Sequence, residues 1–259
     1  MEKKEIKEMK EMKEIKDMIV LENLSKRYGA KKAVDGINLT VKEGEMLSLL
    51  GVNGAGKSTT IKMLSCLTKP SGGSAKIDGH DVVKDRDHVK EIVGISTQET
   101  AIARNLTVEE NLSFMAGIYL DPKTYDKKKR KERVEEILRD FKLEEVRRTK
   151  SGKLSGGWQR RLSIAMAMIG NPKVILLDEP TLGLDVLARR ELWREIEKIK
   201  KNRTIILTTH YMEEAEALAD KIAIMIEGKI VMAGSLEELE KKTGQKGLEN
   251  VFVSVAEGE

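Results

Sequence analysis

Cysteine is almost missing from this chain. Cys66 is the single one in 259 residues, so no disulfide framework is possible and the chain suits a reducing compartment. Cys66 itself reads as a small buried apolar residue. Long apolar runs are lacking too: nothing approaches the roughly 18–20 residues needed to cross a bilayer. The stretches at 162–169 and 222–226 read as ordinary core segments. The first residues are charged throughout, so no secretory signal is expected there. We expect a protein soluble by itself, with any membrane role coming through a partner. Aromatics are scarce at 3%, and charge of one sign does not dominate. The net +4 on a heavily charged chain does not imply nucleic-acid binding.

What is present fits one large domain, or one domain with an inserted lobe, long enough to bury most of its apolar surface. Residues 1–17 are a near-repeat of Glu, Lys and Ile or Met, with apolar residues every three positions at Ile6, Met9, Met12, Ile15 and Met18. In a helix each step of three falls about 60° short of a full circle, so these side chains spiral instead of forming a stripe. The segment reads as a charged leader without stable structure. Strands are expected at 19–24, 37–41, 45–50, 75–78 and 92–96, and a helix at 58–67 stopped by Pro70. From 108 to about 150 the character changes to charged helix, at 108–120 and 127–141, with no strand signal. Strands return at 174–177, 204–209 and 222–226. Alternating strands and helices predict a mostly parallel sheet with covered faces and a helical lobe inserted into it.

Gly51-Val52-Asn53-Gly54-Ala55-Gly56-Lys57-Ser58-Thr59 fits G-x-x-x-x-G-K-[ST], with a strand before it and a helix after. Glycines let the main chain wrap phosphates, with N–H groups aimed inward at a helix start. Lys57 supplies a point charge to β- and γ-phosphates, and the Ser58 hydroxyl suits Mg²⁺. No Asn in the chain is followed by Lys, so the usual guanine reader is missing and ATP is favoured over GTP.

Far downstream, an apolar strand run at 174–177 ends in Asp178-Glu179. Asp178 would help hold Mg²⁺, and Glu179 stands where a general base could polarise the attacking water. His210 ends the next strand, on the rim where parallel sheets bind ligands, and could reach the γ-phosphate. His80 and His88 read as ordinary surface or core residues. Ser155-Gly156-Gly157 opens an apolar helix; Ser155 is expected to cap it, leaving N–H groups for an anion. One loop cannot wrap a triphosphate, so a second anion-ready helix start invites a two-sided clamp.

Together these residues resemble the nucleotide-binding subunit of an ABC transporter, in family order from Met18 to about Leu236. Tyr28 is similar to the aromatic that stacks on adenine and Gly51 to Thr59 to the Walker A loop. Gln98 matches the Q-loop, 154–157 the signature, 174–179 Walker B, 183–185 the D-loop with Asp185, and His210 the switch histidine. The resemblance implies an α/β P-loop NTPase (RecA-like) fold with a mostly parallel sheet core, an N-terminal antiparallel β subdomain and an inserted α-helical subdomain at about 100–155. The ATPase domain is expected over 18–236, before a short extension at 237–259. It also implies ATP and Mg²⁺ as cofactors, with Gln98, Ser58 and Asp178 near the metal. Two copies would pair head to tail, so that Ser155, Gly156 and Gly157 of one grip the nucleotide held by Lys57 of the other. Gln98 would relay motion to a separate multi-span membrane permease, placing the chain on the cytoplasmic face of the membrane.

The wording Thr209-His210-Tyr211-Met212-Glu213-Glu214-Ala215-Glu216 and the segment at 248–252 are similar to exporters of drugs, sodium or polysaccharide. Three positions depart from the family pattern. Trp158 replaces the usual Gln, Thr97 the common Pro, and the segment between Gly234 and Leu248 is short. Trp158 either meets the ribose of the partner's nucleotide or turns into the lobe. The alternative reading is a soluble ABC ATPase acting on nucleic acid or ribosomes. Its best support, Lys127-Lys128-Lys129-Arg130-Lys131, is diluted by Asp126, Glu132, Glu135 and Glu136 and has no interleaved aromatics.

Overall fold

Two sheets carry the fold. In the computed structural model, which describes residues 16–200 and 203–258, strands β1 (Asp17–Tyr28) and β2 (Lys31–Lys42) pair antiparallel. With β4 (Gly72–Ile77) and β5 (His80–Asp81) they form a four-stranded sheet of order β2-β1-β4-β5. The second sheet has order β10-β9-β3-β8-β7-β6. It contains β3 (Met46–Leu50), β6 (Val93–Ser96), β7 (Val174–Asp178), β8 (Thr204–Thr209), β9 (Lys221–Ile226) and β10 (Lys229–Gly234). The pairs β3·β8, β3·β9, β6·β7 and β7·β8 are parallel, and only the edge strand β10 runs antiparallel in this sheet. Every residue of β3, β7 and β8 is buried, as expected of strands covered on both faces.

The helices divide between those faces. Helix α1 (Lys57–Leu64) follows β3 and joins β1, β2 and β4 in one apolar cluster. Its expected end at residue 67 is a turn too late. Cys66 takes a left-handed φ of 59°, Leu67 N–H bonds to Lys62 O at 2.9 Å and Cys66 N–H to Met63 O at 3.1 Å. That closure stops the helix well before Pro70. After α2 (Arg86–Ile92) and β6 come α3 (Val108–Tyr119) and α4 (Lys127–Asp140). Thr107 and Glu110 form a capping box at the start of α3, and Asp126 caps α4. Arg147 ties the two together, bonding Glu109 and Glu135 at 2.7 Å each, and its guanidinium is held firmly charged by them.

Leu112, Ile137, Leu138 and Phe141 of this helical region share one cluster with Ile175, Leu177 and Leu207 of the sheet. The cluster also takes in α5 (Gly156–Ala167) and α6 (Val186–Lys200). Beyond β8 lie α7 (Met212–Leu218), the β9–β10 hairpin, α8 (Leu236–Thr243) and α9 (Leu248–Glu257). Leu239, Leu248, Val251 and Phe252 of the last two helices pack on Leu50, Ile222 and Ile224. The expected leader falls almost wholly on residues 1–15, outside the described residues, and Asp17 already belongs to β1. No helix among the described residues is long and apolar enough to cross a membrane.

Candidate functional site

The loop between β3 and α1 folds as its glycines dictate. Gly56 has a φ of +108°, and a Cβ there would lie 2.4 Å from Ala33 O and 2.7 Å from Met225 Cε. Only glycine fits that backbone and that space. Gly228 N–H donates to Ala55 O at 3.0 Å, anchoring the loop to the β9–β10 turn. The Lys57 ammonium is buried at 5% exposure. It donates to Gly51 O at 2.6 Å and Val52 O at 3.2 Å, and lies 3.1 Å from Glu179 Oε1. Buried charges persist only when paired, and here the loop carbonyls and Glu179 supply the pairing.

The ends of β7 and β8 meet this loop. Thr208 Oγ donates to Asp178 Oδ1 at 2.6 Å, and Ser58 Oγ reaches the same oxygen at 2.9 Å. Glu179 sits in the left-handed region at φ 49°, a strained setting for a residue with a side chain. Its N–H donates to Thr208 Oγ at 3.0 Å, which helps fix that backbone. One carboxylate oxygen then faces Lys57, and the other lies 2.7 Å from His210 Nδ1. The His210 ring packs on Tyr211, centroids 4.1 Å apart.

One cavity of about 420 Å³ gathers most of the predicted residues. Tyr28, Asn53, Gly54, Ala55, Gly56, Lys57, Ser58, Thr59, Gln98, Glu179 and His210 all line it. Tyr28 stands half-exposed at the mouth with the Lys26 ammonium 5.0 Å from its ring centroid. Gly51 and Asp178 lie beneath, as the hydrogen bonds to Lys57 and Ser58 require. A larger cleft of about 1000 Å³ between α4 and α6 holds none of the predicted residues. Its charged side chains are of both signs, and no reactive group converges there.

Ser155, Gly156, Gly157 and Asp185 do not reach the cavity of their own chain. Ser155 and Gly157 line a separate recess with Trp158, Arg161 and Ala188. Ser155 occupies the N-cap position of α5 with extended backbone, but its side chain makes no capping hydrogen bond, a correction to the expected cap. Asp185 instead caps its own helix, accepting from Leu187 N–H and Ala188 N–H at 3.0 Å each. Trp158 turns inward against the second core cluster, with the Arg161 guanidinium 4.5 Å from its ring centroid. Arg161 is in turn held by Glu191 at 3.1 Å and Glu195 at 3.0 Å on α6.

Several site residues escaped sequence reasoning. Lys31 and Leu182 line the cavity without belonging to any motif. Thr208 orders both Asp178 and Glu179, yet reads in the sequence as one more strand residue. Glu214, fully buried behind the site, accepts from Trp193 Nε1 at 3.0 Å. Burial pushes its carboxyl above the usual carboxylate range. A glutamate four residues after a rim histidine gave no periodic signal of that burial.

A glycine loop opening a helix beside a two-carboxylate strand end, on a mostly parallel sheet, defines a P-loop ATPase. The chain belongs to the ABC transporter family, whose model matches residues 34–182, and is an ABC ATPase that binds ATP. It is 37% identical over 227 residues to the daunorubicin resistance ATP-binding protein DrrA3 of Streptomyces coeruleorubidus, covering 87% of this chain and 71% of that protein. It is 39% identical to ABC transporter A family member 9 of Dictyostelium discoideum, over 94% of this chain but only 29% of that protein. The chain thus spans less than a third of the A-family relatives it matches. A solved ATP-binding subunit of an ABC transporter superposes with a TM-score of 0.81 at 29% identity, covering 92% of this chain and 99% of that one. The dimeric post-hydrolysis state of the ATP-binding cassette MJ0796, bound to ADP and Pi, gives 0.75 at 30% identity, over 85% and 99%.

Proposed function

We propose that this chain is the ATP-hydrolysing subunit of an exporter, working as a head-to-tail pair on a separate multi-span membrane permease at the cytoplasmic face of the membrane. The observation that carries the reading is Glu179, held between Lys57 and His210 at the wall of the glycine-loop cavity. Lys57 and the loop N–H groups hold the β- and γ-phosphates, and Tyr28 at the mouth stacks on adenine. Glu179 takes the proton of the attacking water as general base. His210, oriented by its bond to Glu179, donates to the γ-phosphate.

The donor set fits Mg²⁺: Ser58 Oγ and an Asp178 oxygen, 2.9 Å apart, are hard oxygen ligands beside the phosphate loop. Gln98, at the cavity wall, would add a further oxygen to that set. When bound, Mg²⁺ neutralises charge on the β- and γ-phosphate oxygens.

Ser155, Gly156, Gly157 and Asp185 act on the nucleotide of the second copy. The exposed Ser155, free of any cap bond, and the dimeric MJ0796 cassette support that assignment. Export is supported by the daunorubicin-resistance relative and by the human phospholipid-transporting ATPase ABCA3, 41% identical over 230 residues. A separate permease is supported by the similar cbiO1 subunit, described as part of the complex cbiONQ.

Glu179→Gln tests the reading. The variant is expected to bind ATP–Mg²⁺, to lose hydrolysis by about 100-fold or more, and to run as a dimer by light scattering. A monomer at saturating ATP–Mg²⁺ sinks the two-sided clamp; undiminished hydrolysis removes Glu179 as base.

A further inference from the structure

Arg160 lies one turn into α5, a helical step of four from Gly156, and is buried at 5% exposure. Its guanidinium forks onto two consecutive main-chain carbonyls. Nη1 donates to Thr97 O at 2.7 Å and Nη2 to Gln98 O at 2.6 Å. One turn further along, Ser163 Oγ lies 2.9 Å from Ser96 Oγ, so α5 grips the whole approach to Gln98. Burial disfavours the charge on Arg160, while Asp178, Glu214 and Glu179 favour it. An arginine stays charged in such a place, and its planar fork fixes both the position and the orientation of the peptide it holds. A lysine would satisfy one carbonyl at a time.

The two ends of this link face different nucleotides. Ser155 and Gly157 at the start of α5 line a recess that, in the proposed pairing, would meet the ATP held by the second copy, while Gln98 lines the cavity of its own chain. A short, rigid element therefore runs between two ATP sites: one helix turn and one forked side chain. We propose that Arg160 is a positioning residue that locks Gln98 to the glycine-rich start of α5, so that closure of one ATP site of the pair sets Gln98 in the other. This rests on the head-to-tail pairing proposed above.

A merely structural Arg160 would lower stability without touching cooperativity, and its loss would add to that of Gln98. The test is a rate cycle in the full chain with Arg160→Met, Gln98→Ala and the double variant, ATP being varied at fixed Mg²⁺. Arg160→Met is expected to lower kcat about tenfold or more, as loss of hydrogen bonds from a charged group does. Its KM for ATP should stay within about twofold. The Hill coefficient should fall from above 1 in the natural chain to about 1. The double variant should be no slower than Gln98→Ala alone. Arg160→Lys should restore the thermal midpoint but not the rate, and it carries the same cycle if the Met variant does not fold. Additive losses in the cycle, or a natural chain with no cooperativity, overturn the proposal. Dimer formation by Glu179→Gln, alone and with Arg160→Met added, separates the two failures. If Glu179→Gln forms no dimer, the pairing itself falls; if both dimers form and the losses are additive, only the role of Arg160 falls.

Discussion

The fold treats the two glycine-rich helix starts of the candidate site, those of α1 and α5, in opposite ways. The loop before α1 is enclosed. Ala55, Gly56 and Lys57 are buried, Gly56 is left-handed, Ala33 and Met225 press on it from neighbouring strands, and Gly228 of the β9–β10 turn bonds Ala55 O. The start of α5 is open. Ser155 and Gly156 are exposed, Gly156 has ordinary helical backbone, and a Cβ on it would meet nothing within 4 Å. At Gly56 the glycine is demanded by the chain itself. At Gly156 no contact among the described residues demands it. A self-sufficient anion cradle and an incomplete one are what a clamp shared between two copies requires.

The comparison is broken most forcefully at its closed half. Gly56→Ala is expected to destabilise the fold by about 3 kcal/mol, because strain at positive φ adds to the clash with Ala33 O. A urea midpoint unchanged from the natural chain would show that the loop relaxes and is not demanded. At the open half, Gly156→Ala should leave stability equal or higher by about 0.5 kcal/mol, since alanine is the better helix residue there. Steady-state ATP hydrolysis should nevertheless fall about 10–100-fold, because the added methyl obstructs the close approach of the partner's nucleotide. Undiminished hydrolysis would mean that the open glycine has no partner to serve.

The smallest effect lies outside both helix starts, at Glu214 in α7. Its carboxyl is raised by burial, and one of its oxygens accepts from Trp193 Nε1. A raised folded-state value means that the folded chain holds this proton where the unfolded chain has released it. The stability it contributes is therefore fully present below the ordinary carboxylate range and is lost as pH rises above it. Glu214→Gln should be the more stable form by about 1 kcal/mol at alkaline pH. It should also flatten the decline of the urea midpoint from about pH 5 to about pH 8. Equal slopes for both proteins would mean that Glu214 does not carry this proton.

Much of the closed half was legible. The run from Gly51 to Thr59 carries its own instructions, because glycine positions, a lysine and a following helix are local properties. The strand ending in Asp178-Glu179 was readable for a similar reason: β7 is covered on both faces and must be apolar until it reaches the polar groups of the site. Thr208 and Arg160 were not legible. Each acts on residues 29 or more positions away, through pairs of hydrogen bonds that leave no periodicity in the sequence. The end of α1 was misjudged because proline was the visible stop, whereas Cys66 ended the helix earlier by turning left-handed. The packing of α8 and α9 on the sheet was also missed, since two short amphipathic segments do not reveal which surface they cover.

By itself the sequence determined the class of chemistry: a phosphate loop, a carboxylate pair and a rim histidine, each set by residue types at local spacing. It also determined the alternation of strands and helices, which hydrophobic periodicity encodes directly. Only the tertiary structure decided that Glu179 bridges Lys57 and His210, that Trp158 turns inward, and that Arg160 holds Gln98. These depend on how separate strands and helices meet, and side-chain hydrogen bonds across such junctions are fixed by packing distances of a few tenths of an ångström. The open glycine start of α5 belongs to both accounts. Its residues are written in the sequence, but only the fold revealed that nothing among the described residues fills the space beside Gly156.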